Sequence, residues 1–86
     1  MRFSRKELIG LLEFMIDRSF DEVGVMAFRD QFSSDRAGRL AVRFADREGL
    51  VDRDKGRVYL QDDITERQIH STVSQSIQYE IGWYDD

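Results

Sequence analysis

The chain has 86 residues, no cysteine and a formal net charge of −4 from 13 basic and 17 acidic side chains. That length predicts one small domain, burying about 60–65% of its unfolded surface, so a second copy is a plausible source of extra stability. The missing cysteines exclude a disulfide framework and thiolate metal sites and fit a reducing cytoplasm. The longest apolar stretch, Leu8 to Leu12, contains Gly10 and runs into Glu13, so neither a membrane span nor a signal peptide is expected.

The first helix is predicted from a capping box, Ser4 with Glu7, and a hydrophobic staple, Phe3 with Leu8. Leu8, Leu11, Leu12, Met15 and Ile16 form its apolar face, and it should end near Arg18. A second capping signature, Ser19 with Glu22, predicts another helix through Val23, Met26 and Ala27 to Gln31 or Phe32, with Gly24 as a weak point inside it. Ser33-Ser34-Asp35 supplies a turn and a third cap. The helix that follows carries Ala37, Leu40, Ala41 and Phe44 at i, i+3, i+4 and i+7 and stops at Gly49. Leu50 to Arg53 and Arg57 to Leu60 read as a hairpin around Asp54-Lys55-Gly56. A fourth helix is expected from Asp63, capped with Glu66. Its stripe of Ile69, Val73, Ile77 and Ile81, followed by Trp83 and Tyr84, is narrow for a helix of that length, and we expect it to hold two copies together as a homodimer.

Charge is unevenly distributed along these elements. Between positions 36 and 57 there are seven basic and four acidic residues, a balance of +3, against six basic and thirteen acidic elsewhere, a balance of −7. Arg36, Arg39, Arg43 and Arg47 fall within one sector of about 80° on the third helix, placed about a third of a turn from the centre of its apolar face. Arg39–Arg43 and Arg43–Arg47 are like-charge pairs at i, i+4, which cost a few tenths of a kcal/mol. A helix built only for stability would not stack them, so the stripe points to an anion, and nucleic acid is the largest biological one. Asp35, at the start of that helix, stands where a phosphate would be repelled.

The order of three helices, then Glu48-Gly49-Leu50-Val51-Asp52-Arg53, then a Lys-Gly hairpin ending Arg57-Val58-Tyr59-Leu60, resembles the winged helix-turn-helix family. The resemblance covers Ser4 to Leu60. It implies a mainly α fold with a small β-hairpin: residues 1–62 as a winged-helix domain and 63–86 as a C-terminal helix that dimerises or packs on it. It further implies duplex DNA binding by a small transcriptional regulator, with Ser34, Arg36, Arg39 and Arg43 facing the major groove and Arg53, Lys55 and Arg57 as wing contacts. Arg47, at the far end of the helix, is the weakest candidate.

Other chemistries find little footing. His70 is the single histidine, with Glu66 one turn before it, and zinc sites want three or four ligands. No nucleophile–histidine constellation and no glycine-rich phosphate loop is present, so neither an enzyme nor a cofactor is expected. The rival reading is a winged-helix protein-interaction module whose arginines dock an acidic protein partner. RNA is a distant third and would need Phe28 or Phe32 exposed beside the basic face.

Overall fold

A computed structural model describes residues 5–76. The order of elements is α1 (Arg5–Asp17), β1 (Glu22–Gly24), α2 (Val25–Arg29), α3 (Asp35–Arg47), β2 (Val51–Asp54), β3 (Arg57–Leu60) and α4 (Glu66–Ser76). The strands form one antiparallel sheet in the order β1-β3-β2. Four helices and a small sheet therefore replace the expected four helices and hairpin.

The added strand corrects the reading of residues 19–24. Ser19 closes α1 instead of opening α2. It sits in the left-handed region at φ 58°, its N–H donates to Ile16 O, and the Phe20 N–H donates to Met15 O. That is the bond pattern of a Schellman exit. Glu22, Val23 and Gly24 then pair with Tyr59, Val58 and Arg57, so pairing with β3 outweighs the local capping signal. Gly24 lies ahead of α2 in an extended conformation, and the cost of a mid-helix glycine is not incurred there. The Val25 N–H donates to Gly56 O at 2.9 Å, carrying the β1–β3 ladder up to the hairpin turn.

The segment from Ser33 to Leu60 follows its sequence signals closely. Ser34 Oγ caps α3 by accepting from the Ala37 N–H at 3.0 Å. Gly49 leaves the helix at φ 77°, with Leu50 N–H donating to Ala45 O. Asp54 pairs with Arg57, leaving a two-residue turn of Lys55 and Gly56, both at positive φ. This is the type I′ geometry that matches strand twist.

The core gathers Leu8, Leu12 and Met15 from α1, Phe28 from α2, Ala37, Ala41, Val42, Phe44 and Ala45 from α3, Val51 and Val58 from the hairpin, and Ile69 and Val73 from α4. Gly38 is where α2 and α3 meet. A Cβ there would lie 2.5 Å from the Arg29 carbonyl oxygen and 2.9 Å from Arg29 Cα. Because those atoms are backbone, the helices must separate to admit it. Gly38→Ala is expected to destabilise the fold by about 1–3 kcal/mol through overpacking, although alanine is the better helix former. Thermal unfolding of that variant checks the expectation, and an unchanged Tm would refute the close approach.

α4 departs from expectation at its start and in its partner. Asp63 lies at φ 60° and does not cap the helix. Thr65 does: the Gln68 N–H donates to Thr65 Oγ1 at 3.2 Å, and the Thr65 N–H donates to Gln68 Oε1 at 2.9 Å. That reciprocal pair is the capping box. The helix lies against α1, and Ile69 and Val73 are both 0% exposed. This corrects their assignment to a dimer seam, since the chain's own core already covers them. Ile77, Ile81, Trp83 and Tyr84, the other expected seam residues, lie outside the described residues, as do Phe3 and Ser4.

Along the α1–α4 contact, His70 Nε2 lies 2.8 Å from Glu13 Oε2. Nearby, a hydrogen bond shared with Asp17, and the negative charges of Asp17 and Glu13, push the Glu66 carboxyl above its usual range despite the opposing pull of His70. A carboxyl whose folded pKa is raised binds more protons folded than unfolded, so stability falls as pH rises from about 4.5 through the raised value. Glu66→Gln is therefore expected to raise Tm at pH 7 and to lose that advantage below pH about 4. A gain that persists unchanged at pH 3 would contradict this.

Candidate nucleic-acid interface

α3 presents its arginines because of how its other faces are used. Arg36, Arg39, Arg43 and Arg47 are all exposed, whereas Ala37, Gly38, Ala41, Val42, Phe44 and Ala45 are buried. At about 100° per residue, the buried arc is centred about half a turn from the arginine stripe. The stripe thus looks directly away from the core, and its expected position on a flank is corrected. The sequence pattern overlooked Gly38, Val42 and Ala45, which carry the buried arc around to the α2 side, and it overweighted Leu40, which is only partly buried.

The seven basic residues differ in what holds them. Arg39 Nη2 lies 3.1 Å from Asp35 Oδ2. Arg53 Nε lies 3.4 Å from Asp46 Oδ2, tying the hairpin to α3. Arg57 pairs with Glu22 across the β1–β3 edge. Arg47 contacts Glu48 and stacks over the Phe44 ring, which keeps it at the far end of the helix. Arg36 and Arg43 on α3, and Lys55 at the hairpin tip, have no ion pair among the described residues. Exposed pairs such as Arg39–Asp35 are worth about 0–1 kcal/mol, so a phosphate can displace the carboxylate at little cost. Ser34 keeps its hydroxyl proton for an outside acceptor, since its oxygen serves the cap.

Asp35 is better accommodated than its position predicts. Its second oxygen, Oδ1, receives Arg29 Nη2 at 2.7 Å. Bracketed by Arg29 and Arg39, its charge is locally neutralised while it still favours the helix N-terminus. Arg29 lies in α2, six residues back across a turn, so no helical spacing rule could have flagged it. It is the residue of this face that the sequence pattern does not reveal.

Other surfaces are less suited to an anion. A groove of about 470 Å³ between the end of α1, β3 and the turn into α4 is lined by Asp21, Asp52, Asp62 and Asp63, and it would repel a polyanion. Phe28 and Phe32 are buried, so neither serves as a base-stacking platform, and the RNA reading loses its aromatic support. Among the described residues, no group of three or more His, Asp or Glu side chains could hold a metal ion. No described helix is long and apolar enough to cross a membrane.

Comparison with known proteins adds no assignment. No family model matches the chain, and no significantly similar curated protein or solved structure was found.

Proposed function

We propose that this protein binds duplex DNA through α3 and the β2–β3 hairpin, as a small winged-helix transcriptional regulator acting as a homodimer. The observation that carries the proposal is the face of α3 opposite the core. It holds Arg36 and Arg43 exposed and without ion pairs among the described residues, with Arg39 between them on an easily displaced one. The element order, the close α2–α3 crossing at Gly38 and the β1-β3-β2 sheet agree with a winged helix-turn-helix arrangement. On that reading α3 enters the major groove, where an arginine fork can take guanine O6 and N7 or phosphate oxygens. Lys55, at the tip of the wing, reaches the flanking backbone.

Fluorescence anisotropy with a random-sequence duplex tests this. Four to six neutralised phosphates predict that log K falls against log salt with a slope of about −4 to −5. No binding at about 50 mM salt, where even non-specific binders hold DNA, would sink the proposal.

The alternative, docking of an acidic protein partner, draws on one observation. Asp35, Asp46 and Glu22 already engage Arg39, Arg53 and Arg57, so these arginines accept carboxylates readily. It becomes the preferred reading if DNA binding fails.

A further inference from the structure

Asp35 and Arg39 stand one turn apart at the start of α3, with side chains 63% and 66% exposed. Opposite a phosphate, Asp35 is a like charge, and Arg39 has to leave it to make the contact. Yet the carboxylate is firmly held. Arg29 Nη2 reaches its Oδ1 at 2.7 Å from a side chain only 18% exposed. Arg29 Nε is enclosed without a hydrogen-bond partner among the described residues, a cost that a side chain placed only for stability would avoid. Asp35 is therefore aimed by a mostly buried cation at the α2–α3 crossing. The Arg53–Asp46 and Arg57–Glu22 pairs have no such second cation on their carboxylates among the described residues.

We infer that Asp35 and Arg39 together read one G·C base pair, Arg39 on guanine and Asp35 on the cytosine amino group. The inference rests on the proposal that α3 enters the major groove. Arg39 Nη2 lies beside Asp35 Oδ2 at 3.1 Å. The guanidinium keeps a fork of N–H groups, and each carboxylate oxygen keeps a lone pair. The pair can thus lay down a row of donor, donor, acceptor. The groove edge of a G·C pair offers guanine N7, guanine O6 and cytosine N4, which are acceptor, acceptor, donor. O6 and N4 share one Watson–Crick hydrogen bond and so lie about 2.9 Å apart, close to the spacing of Nη2 and Oδ2. An A·T pair offers acceptor, donor, acceptor and then a methyl group. Its best alignment satisfies two of the three groups and sets an N–H against the thymine methyl. Neither side chain has to leave the other at a G·C pair, whereas both are opposed at phosphate. Arg36 and Arg43, which have no ion pair among the described residues, present donors only and cannot sense cytosine.

The test is the affinity of the full chain, at about 50 mM salt, for two duplexes of equal length, one alternating dG-dC and the other alternating dA-dT. The wild-type chain is expected to prefer the dG-dC duplex by at least about 5-fold, the low end for one specific base-pair contact. Asp35→Ala should lose at least that factor of preference and bind the dA-dT duplex more tightly than the wild-type chain does, because a carboxylate is removed and Arg39 is released. A role for Asp35 only at the helix end would instead weaken both duplexes alike, and that result overturns the inference. Should Asp35→Ala fail to fold, Arg39→Ala leaves the Arg29–Asp35 pair in place and is expected to lose the same factor of preference. Equal binding of both duplexes by the wild-type chain, or a preference that survives either substitution in a folded variant, overturns the inference and leaves the DNA reading standing. Binding to neither duplex sinks the DNA reading itself and this inference with it.

Discussion

Replacing Arg36 and Arg43 together by alanine is expected to weaken duplex DNA binding by a factor of about 30 to about 3 × 10⁴, corresponding to ~1–3 kcal/mol for each arginine removed from the DNA interface. The salt slope should fall by about 2 if both arginines bind phosphate. These two residues are chosen because they are exposed and carry no ion pair among the described residues. Their removal leaves no buried charge behind and also relieves the like-charge spacing of Arg39 and Arg43. Tm should therefore stay within the narrow range typical of surface substitutions, about ±0.5 kcal/mol in stability. Arg39→Ala should cost less binding than either, since Arg39 must first give up its pair with Asp35. Anisotropy titrations at two salt concentrations, with thermal unfolding by circular dichroism as the fold control, check all four statements. Unaltered affinity in the double variant would remove the face of α3 from the proposed function.

The pairing of Asp35 decides how much of this face was legible in the sequence. The Ser34 cap, the Gly49 exit and the Lys55-Gly56 turn are local signals, set by residues close together along the chain, and each is seen where the sequence places it, whereas for the stripe of arginines only its place on α3 was local. What the sequence hid is non-local. Strand β1 forms because β3 is available to pair with Glu22 to Gly24, and the capping pattern at Ser19 and Glu22 carries no trace of that. The direction of the arginine stripe follows from the crossing of α2 over Gly38, which shifts the buried arc and turns the stripe away from the core. The neutralisation of Asp35 requires Arg29, delivered by the same crossing. Charge periodicity therefore located the candidate face, while tertiary packing determined which of its charges are available.

The second large effect is expected at α4. Ile69→Ala should destabilise the fold by about 2–5 kcal/mol, the usual cost of emptying a fully buried isoleucine site. A chain of this length has about 4–13 kcal/mol of stability in total, so the substitution removes a large share of it. With roughly 4–8 °C of Tm for each kcal/mol in a domain of this size, a fall of at least about 8 °C follows. The physical reason is that Ile69 is 0% exposed within one chain, on a helix that packs against α1. The deficit should accordingly be the same at low and high protein concentration. If Ile69 instead belonged to a seam between copies, the variant would dissociate the dimer, and its deficit would shrink at dilutions where the wild-type chain is already monomeric. Thermal unfolding at two concentrations about a hundredfold apart, a ratio that spans any micromolar Kd, separates the cases. Val73→Ala, one turn further along the same buried face, should behave alike with a smaller deficit, because fewer methyl groups are removed.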